Sequence, residues 1–340
     1  MTSNKRIEAF GILGEHLLSN DNRLQEIIEE ASYQNPWFTR ENVSRAILAI
    51  AENLTVPALS LWVSGYAVDH APKKTVGLVL AGNIPLVGFH DILCCLLCGF
   101  SIQLKLSSND KLLIPYLLDK LQAIEPEGFS NKIRYVERLA DVDMIIATGS
   151  NNTSRYFEYY FRNIPHIIRK NRNGVAILTG KESPIELNAL GHDIFDYFGL
   201  GCRNISKIYS PKGYDYSPFF EAIESFSAIG NHYKYHNNYD YNKSIYLVNG
   251  DEHLDNGFLL LKKDTHIASP LAVVFYEEYD NAAALQDTLL KKQEEIQCIV
   301  GTSKLSGINT IPFGQSQKPA LSDYADGIDV LEFLVGKPED

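Results

Sequence analysis

The sequence predicts an α/β protein built on parallel sheets, and three observations lead to that fold class. Residues 75–81 (TVGLVLA) form a continuous apolar run of the kind that parallel sheets bury on both faces. Strand-like and helix-like segments alternate between residues 72 and 180, which is the pattern of βαβ units. Residues 1–70 instead have the apolar periodicity of helices. We therefore predict N-terminal helices, then a parallel sheet with helices on both faces, then a second α/β unit.

The helical prediction for the N-terminal part is most specific around Thr39. This threonine is placed as the N-cap of the segment ENVSRAILAIAENL, because its side-chain oxygen can accept a hydrogen bond from a free amide of the first turn. Four apolar residues at helical spacing form one stripe along that segment: Val43, Ile47, Ile50 and Leu54.

Residues 84–102 are long and apolar enough to be mistaken for a membrane span. His90 and Asp91 stand in the middle of the run, and a charged side chain at mid-membrane depth costs about 2.5–3.5 kcal/mol. Pro85 near the start and Gly99 near the end are the usual boundaries of a helix in a water-soluble domain. We therefore predict a buried helix of about three turns and no membrane span.

The remaining segments are read from local pattern. In the first sheet we predict strands at 102–106, 133–138 and 143–148, and a helix around 110–123. In the second unit we predict helices at 186–198 and 216–226, and strands at 203–210, 258–263, 270–279 and 327–335. The Tyr- and Asn-rich residues 231–246 are predicted to be a loop or an edge-strand excursion.

Composition excludes several classes of protein. The net charge of −11 argues against nucleic-acid binding, which favours a basic surface. The five cysteines do not have the arrangement of a disulfide framework, and the N-terminus lacks the apolar core of a signal peptide. We expect a reduced, cytoplasmic protein. Two glycine-containing segments, GLGCRN and GVAILTGKES, both depart from the phosphate-binding patterns that they partly match.

A series of short segments, taken together, resembles the aldehyde dehydrogenase superfamily. In chain order these are AGNIPL (81–86), IQLKLSSND (102–110), IIATGSNNTSR (145–155), ILTGKESP (177–184), GLGCRNISKIY (199–209), ASPLAVVFYEEYD (268–280) and INTIPFG (308–314). The short chain and its C-terminal part look most like the LuxC-type fatty acyl-CoA reductases. The resemblance covers roughly residues 72–316.

The resemblance implies a fold with a Rossmann-type cofactor-binding domain and an α/β catalytic domain. On this basis we expect a helical segment at 1–70, a nicotinamide-cofactor domain at 71–176 and a cysteine-nucleophile domain at 177–316. The C-terminal tail, 317–340, would contain an oligomerisation strand, and exposed edge strands are normally covered or paired. We therefore expect a homodimer or a larger homo-oligomer.

Two residues would carry the catalytic roles that the resemblance implies. Cys202 follows a Gly-Leu-Gly turn and stands at the nucleophile position, where its thiolate would attack an acyl carbonyl. Asn83 stands where the family uses a side-chain amide, together with the backbone N–H of the cysteine, to stabilise the oxyanion. The alternatives are a buried thiol for Cys202 and a simple turn residue for Asn83.

The resemblance also implies the residues that would hold the cofactor. Lys105 would bind the adenosine ribose. The turn Thr148-Gly149-Ser150 precedes another helix, whose N-terminal amides would face the pyrophosphate. Ser108 stands where NAD-preferring relatives have a ribose-binding glutamate, so we expect NADP(H) to be preferred and NAD(H) to remain usable. Asp110, two residues after Ser108, could restore the repulsion of a 2′-phosphate, but it is better placed to cap the helix predicted around 110–123. The predicted cofactor residues are Lys105, Ser107, Ser108, Thr148, Gly149 and Ser150.

Two departures from the family pattern refine the predicted reaction. Counting back four residues from Lys181 places Ile177 where acid-forming relatives carry a glutamate general base. Without that base, water would be poorly activated, which fits exchange of the thioester with coenzyme A. His266 stands where the family has a ribose-binding glutamate. The predicted reaction is therefore reduction of an acyl-CoA to an aldehyde.

Other functions remain open at this point. His90, Cys94 and Cys98 share one helical face, but they span about 12 Å and cannot all bind one tetrahedral ion, so we predict a packing face and no metal. Cys202 with His192 would instead make a cysteine hydrolase or acyltransferase that needs no nicotinamide. A non-catalytic binding scaffold with the same fold is the third alternative.

Overall fold

The computed structural model describes residues 1–19, 21–70, 73–149, 151–302, 305 and 307–336. The chain divides into two compact units. The first unit comprises residues 1–171 and 320–340, and the second comprises residues 172–319.

The first unit begins with four helices, as the sequence predicts. They are α1 (Ser3–Leu18), α2 (Asn22–Gln34), α3 (Arg40–Asn53) and α4 (Val56–Val63). Thr39 caps α3 by accepting a hydrogen bond from the amide of Asn42 at 3.3 Å. The buried faces of the four helices belong to the same hydrophobic core as the first sheet.

The first sheet is parallel throughout and has the order β3-β2-β1-β4-β5. Its strands are β1 (Thr75–Val79), β2 (Ser101–Lys105), β3 (Ile133–Tyr135), β4 (Met144–Thr148) and β5 (His166–Arg169). The helices that connect them are α5 (Phe89–Leu97), α6 (Leu113–Ile124), α7 (Pro126–Phe129) and α8 (Asn151–Phe161). This is the predicted succession of βαβ units, with β5 as a strand that the sequence pattern did not reveal.

Helix α5 confirms the prediction of a buried helix within residues 84–102. Every one of its side chains from Ile92 to Leu97 is buried, and Gly99 ends it with a left-handed φ of 82°. Within the described residues, no single helix is long and apolar enough to cross a membrane. Helices α3 and α4 are together long and apolar enough to do so, but a bend of 66° separates them.

The second unit contains a six-stranded sheet of order β11-β6-β7-β10-β9-β8, parallel except for the pairing of β8 with β9. The strands are β6 (Asn173–Ile177), β7 (Ile205–Pro211), β8 (His253–Asp255), β9 (Leu260–Lys263), β10 (Val273–Tyr279) and β11 (Ile296–Gly301). The helices are α9 (Pro184–Phe195), α10 (Ser217–Ala222), α11 (Tyr233–Asn249) and α12 (Ala282–Lys291). The α/β fold class is therefore as predicted.

The prediction of a loop or edge strand at 231–246 is wrong, because residues 233–246 belong to helix α11. The buried residues of α11 are Tyr235, Tyr239, Asn242 and Tyr246, spaced by four, three and four positions. That is a helical period, carried by tyrosines and one asparagine instead of aliphatic residues. The amphipathic pattern is invisible when these residue types are counted as polar.

The predicted C-terminal strand at 327–335 is also wrong. Residues Val330–Val335 form a short helix, α13, which packs against α5 in the core of the first unit. Asp329 caps it by accepting a hydrogen bond from the amide of Glu332 at 2.9 Å. Leu331 and Leu334 are buried at helical spacing, and a short apolar run does not by itself distinguish helix from strand.

Candidate active site

In the first unit, the candidate groups lie at the carboxyl ends of three adjacent strands. Lys105 ends β2, the Asn83 loop follows β1, and Thr148 ends β4. Leu80, the first residue after β1, donates its amide to the carbonyl of Lys105 at 3.1 Å, which holds the two strand ends together. The strand order reverses between β1 and β4, and parallel α/β sheets bind ligands in the crevice at that point.

The loop that carries Asn83 is held in place by the neighbouring strand end. A side chain at Gly82 would overlap Ser107, so the two loops approach each other as closely as a glycine allows. Leu86 has a left-handed φ of 59°, and its amide donates to Asp110 at 3.0 Å. Asn83 itself is exposed at the surface of the first unit.

Asp110 accepts a hydrogen bond at the start of α6, although Leu112 is the N-cap residue of that helix, and it has a second role that the sequence does not predict. Its other carboxylate oxygen accepts a hydrogen bond from the amide of Leu113 at the start of α6, at 3.2 Å. The carboxyl group is buried, and this burial raises its pKa despite the backbone hydrogen bonds that it accepts. Asp110 therefore fixes both loops and does not present its carboxylate at the surface.

The predicted cofactor residues differ in their exposure. Lys105 and Ser108 are exposed, whereas Ser107, Thr148 and Gly149 are half-buried. Ser150 lies outside the described residues. The amide of Gly149 donates to the carbonyl of Arg169 on β5 at 3.4 Å, so the turn after β4 is held by the adjacent strand.

A buried ion pair near this edge was not identified as functional from the sequence. Arg169 at the end of β5 makes a two-pronged contact with Asp91 on α5, in which Nη2 donates to Oδ1 at 2.8 Å and Nη1 donates to Oδ2. Both side chains are less than a tenth exposed. The signal was an aspartate in an otherwise apolar helix, which indicates a buried partner.

The thiols of α5 are packing groups in this structure. Cys94, Cys95 and Cys98 are completely buried. Burial raises the pKa of Cys94 and Cys95 well above the usual range, and raises that of Cys98 to about 12. The Nε2 atom of His90 lies 2.9 Å from the carbonyl oxygen of Leu321. Among the described residues, no group of three or more His, Cys, Asp or Glu side chains is arranged to hold a metal ion.

In the second unit, Cys202 is half-buried on a turn that leads into the amino end of β7. The chain reaches it from the end of α9 through three consecutive left-handed residues: Tyr197, Phe198 and Gly199, with φ of 55°, 58° and 77°. The sequence predicts a permissive backbone at the glycine. The two aromatic residues adopt the same conformation at a cost of order 1–3 kcal/mol each, and such strain is found most often at functional sites.

Asn204 anchors the turn that carries Cys202, and sequence reasoning missed it. Its side-chain oxygen accepts a hydrogen bond from the amide of Gly201 at 2.8 Å. Its side-chain NH₂ group donates to three carbonyls at the end of α9, those of Asp193, Ile194 and Asp196, at 3.1, 3.3 and 2.8 Å. Only 2% of Asn204 is exposed. The available signal was a polar residue that directly precedes a buried strand.

Two further residues contact the same region. One is Gly174 on the second sheet, and the other is Asp193, which binds the segment around Gly314 and Ser316. Gly174 on β6 lies so close to the backbone of residues 203 and 204 that a side chain there would overlap it. Asp193 on α9 accepts hydrogen bonds from the amides of Gly314 and Ser316, at 2.6 and 2.9 Å. Burial raises the pKa of Asp193, against the opposing effect of these hydrogen bonds.

Ile177 and His266, the two residues that depart from the family pattern, lie in different environments. Ile177 is completely buried in the core of the second unit. The nearby carboxylate of Glu182 accepts hydrogen bonds from the amides of Thr179 and Gly180, at 2.6 and 3.0 Å, and so stabilises its own loop. His266 is exposed, and its Nδ1 lies 2.7 Å from a carboxylate oxygen of Asp264.

His192, the alternative general base, is paired with an acid. It is exposed on α9, and its Nδ1 lies 3.2 Å from the carboxylate of Asp196, one helical turn later. Its ring also packs edge-on against Phe226, with ring centres 4.9 Å apart.

A cavity of about 50 Å³ lies at the amino ends of the strands of the second sheet. Gly199 from the approach to Cys202, Phe198 before it and Tyr235 from α11 contribute to its wall. Aliphatic residues that begin β7 and β10, among them Ile205 and Val273, complete it.

The sequence matches no known protein-family profile, and it matches no curated protein. Solved structures do resemble it. Aldehyde dehydrogenase 21 of Physcomitrella patens, solved with the reaction product succinate, is similar over 98% of this chain and 85% of its own, with 14% identity and a TM-score of 0.70.

Two structures solved with NAD⁺ are also similar. The first is a variant of the indole-3-acetaldehyde dehydrogenase of P. syringae, matched over 91% of this chain and 74% of its own at 12% identity, with a TM-score of 0.67. The second is an aldehyde dehydrogenase of Mycobacterium tuberculosis, matched over 85% of this chain and 71% of its own at 14% identity, with a TM-score of 0.61. The chain therefore has an aldehyde dehydrogenase-like fold.

Proposed function

We propose that this chain, whose fold is that of the aldehyde dehydrogenases, is an acyl-CoA reductase of the LuxC type that makes an aldehyde with NAD(P)H. The observation that carries the proposal is the placement of Cys202. It is a half-buried thiol on a strained, hydrogen-bonded turn at the amino end of a central strand. Such a placement leaves the residue partly accessible while hydrogen bonds hold the backbone of the turn, as a nucleophile requires.

In the proposed acylation step, the Cys202 thiolate attacks the thioester carbonyl of an acyl-CoA. A new C–S bond forms and the carbonyl oxygen becomes an oxyanion. The bond to the CoA sulfur then breaks, and CoA leaves as a thiolate that takes up a proton. The N–H of Cys202 and the side-chain amide of Asn83 are assigned as donors to the oxyanion, and one such donor is worth about 2.7–4 kcal/mol.

The carboxyl edge of the first sheet fits a dinucleotide. It offers a strand-order reversal, a close glycine contact between Gly82 and Ser107, and exposed hydrogen-bond donors on Lys105 and Ser108. We assign the cofactor to this edge, held by Lys105, Ser107, Ser108, Thr148, Gly149 and Ser150, with NADPH preferred. When bound, the cofactor would supply a hydride to the carbonyl carbon of the acyl-Cys202 thioester, releasing the aldehyde and the thiolate.

Release of a free acid is not part of the proposal. Ile177 is an aliphatic side chain in the core, and Glu182 holds its own loop, so neither is assigned as a base that activates water. The acyl-enzyme would persist until hydride or a thiol reaches it. We further propose that the protein is cytoplasmic and forms a homo-oligomer. Sedimentation of the full chain would test the oligomeric state.

A second candidate function is favoured by one observation, the pair of His192 and Asp196. A histidine oriented by a carboxylate is the usual base for a cysteine nucleophile, so a hydrolase or acyltransferase would use this pair. That enzyme would release CoA from acyl-CoA at the same steady rate with and without NAD(P)H. Strict dependence on the reduced cofactor would exclude it.

The experiment that tests the proposal is trapping of the acyl-enzyme. The full-length protein is incubated with a panel of acyl-CoAs without cofactor and analysed by mass spectrometry. We expect one acyl group per chain, located at Cys202, and its complete loss in Cys202→Ala. The matched control is Cys298→Ala, which removes the other half-buried thiol of the second unit and should leave the adduct intact. An adduct elsewhere, or none at any chain length, would contradict the proposal, and the second result is what a non-catalytic scaffold predicts.

A further inference from the structure

We infer that Asn204 is a positioning residue that aims the backbone N–H of Cys202 at the oxyanion, and this inference rests on the proposed function. Two peptide groups lie on either side of Gly201. One of them, between Gly201 and Cys202, contains the N–H group that the proposed acylation uses.

Asn204 fixes that peptide group through its own backbone. Its amide donates to the carbonyl of Gly201 at 3.1 Å. Because a trans peptide is planar, its N–H points opposite to its C=O. The carbonyl of Gly201 points toward Asn204, so the N–H of Cys202 points away from Asn204.

The side chain of Asn204 fixes the preceding peptide group. Its oxygen accepts the N–H of Gly201 at 2.8 Å, so this amide is directed at the buried side chain of Asn204. Glycine has the largest backbone freedom of any residue, and the two hydrogen bonds remove that freedom at Gly201.

The anchor itself does not move easily. The NH₂ group of Asn204 donates to carbonyls of Asp193, Ile194 and Asp196 at the end of helix α9. The carbonyl of Asn204 accepts a hydrogen bond from Gly174 of strand β6 at 3.0 Å. A helix end and a sheet strand thus hold the same residue.

Asparagine is suited to this position because it combines an acceptor with a two-hydrogen donor on one short side chain. Aspartate would place a negative charge against three carbonyl oxygens. Alanine would leave the Gly201 amide and the carbonyls at the end of α9 without this partner. The backbone hydrogen bond from Asn204 to the Gly201 carbonyl would remain in that variant. The Gly201 amide would lose its anchor, however, so rotation about Gly201 would loosen the direction of the Cys202 N–H.

Two reactions of the same thiol separate a positioning role from a structural one. Acylation by a thioester develops an oxyanion and needs the N–H of Cys202. Alkylation by iodoacetamide is a displacement at a saturated carbon, which forms no oxyanion. A variant that misdirects the N–H slows acylation selectively, whereas a variant that only buries or displaces the thiol slows both reactions together.

The test measures both rate constants at Cys202 in wild type, Asn204→Ala and Asn204→Ser, at one pH, by mass spectrometry. Loss of an oxyanion donor lowers a rate about 100- to 1,000-fold, so we expect partial misdirection in Asn204→Ala to lower the ratio of acylation to alkylation at least about tenfold. Serine retains a short acceptor for the Gly201 amide and should recover part of that ratio. Thermal denaturation of each variant shows separately whether it is folded.

The matched control is Asn242→Ala. Asn242 is another buried asparagine of the second unit, and it donates to the carbonyls of Asn238 and Leu271, each at 2.9 Å. Its loss should lower thermal stability and leave the ratio unchanged. An unchanged ratio in a folded Asn204 variant would overturn the inference while the proposed function stands. Absence of acylation in the wild type would instead contradict the proposed function itself.

Discussion

The two sheets present their candidate groups at opposite ends of their strands. In the first unit, Lys105 and Thr148 lie at the carboxyl ends of β2 and β4, and Asn83 follows β1. In the second unit, Cys202 precedes the amino end of β7. The first arrangement follows from a general rule for parallel α/β sheets, which bind ligands beyond their carboxyl ends. The second has no such rule behind it.

The two regions also differ in how the groups are held. The candidates of the first unit include exposed side chains on short loops, so their positions depend chiefly on strand order. Cys202 depends on Asn204 and Asp193, two buried polar residues. Asp193 reaches residues 121 and 123 positions away in the sequence. The position of the first unit's candidate residues can therefore be predicted from topology, whereas the turn that carries Cys202 depends on a tertiary hydrogen-bond network.

The largest expected difference between the two regions is in thiol reactivity. With a pKa of about 12, only about one Cys98 thiol in 10⁴ is ionised at pH 8, compared with about a quarter of ordinary cysteines. Cys94 and Cys95 are raised as well. We expect iodoacetamide at pH 8 to modify Cys202 at least about a thousandfold faster than the cysteines of α5. Peptide mapping after timed alkylation measures this.

The control for that prediction is the same reaction in urea, where all five cysteines should react. Rapid modification of Cys94, Cys95 or Cys98 in the native protein would show that α5 is more accessible than its burial indicates. It would also weaken the contrast between a structural and a reactive set of thiols.

The next largest effect concerns the buried ion pair between Asp91 and Arg169 in the first unit. Removing one partner of a buried ion pair leaves an uncompensated charge and costs about 3–5 kcal/mol. We expect a loss of this size in the free energy of unfolding for Asp91→Leu, measured by urea denaturation. The double variant Asp91→Leu with Arg169→Met should recover most of it, because no buried charge remains.

An exposed ion pair of the same unit provides the control. Lys170 and Glu158 are 2.9 Å apart, and each side chain is about half exposed. Glu158→Gln should change the free energy of unfolding by at most about 1 kcal/mol. If Asp91→Leu cost no more than this control, the Asp91–Arg169 pair could not be what holds α5 to β5.

The smallest expected effect is on the choice of cofactor. A carboxylate within about 4 Å of a 2′-phosphate costs on the order of 4 kcal/mol near a protein surface, and Ser108 carries no charge. We expect the wild type to use NADPH with a kcat/KM modestly above that for NADH, and Ser108→Glu to shift this ratio about tenfold or more toward NADH. Ser108→Ala is the control, since it adds no charge. Stronger use of NADH by the wild type, or no shift in Ser108→Glu, would show that the ribose site is assigned wrongly.

The predictions from sequence succeeded where aliphatic residues form the buried face of a helix or strand. The apolar runs of β1 and β4, the capped helix α3 and the buried helix α5 are all present as expected. They failed for α11, whose buried face is made of tyrosines, and for α13, which is too short for its apolar run to distinguish helix from strand. Strands β5 and β6 follow each other so closely that no helical segment between them marked the boundary.

The sequence by itself determined the α/β class, the succession of strands β1 to β4 with helices α5 and α6, and the cysteine that stands behind a flexible turn. These features depend on local periodicity and on residues with special backbone freedom, both of which a linear pattern contains. Only the tertiary structure decided that Asp110 ties two loops, that Asp91 pairs with Arg169, and that Asn204 holds the turn of Cys202. Each of these side chains is buried, and a buried polar group must find its hydrogen-bond partners wherever the folded chain brings them, at sequence separations that no local pattern records.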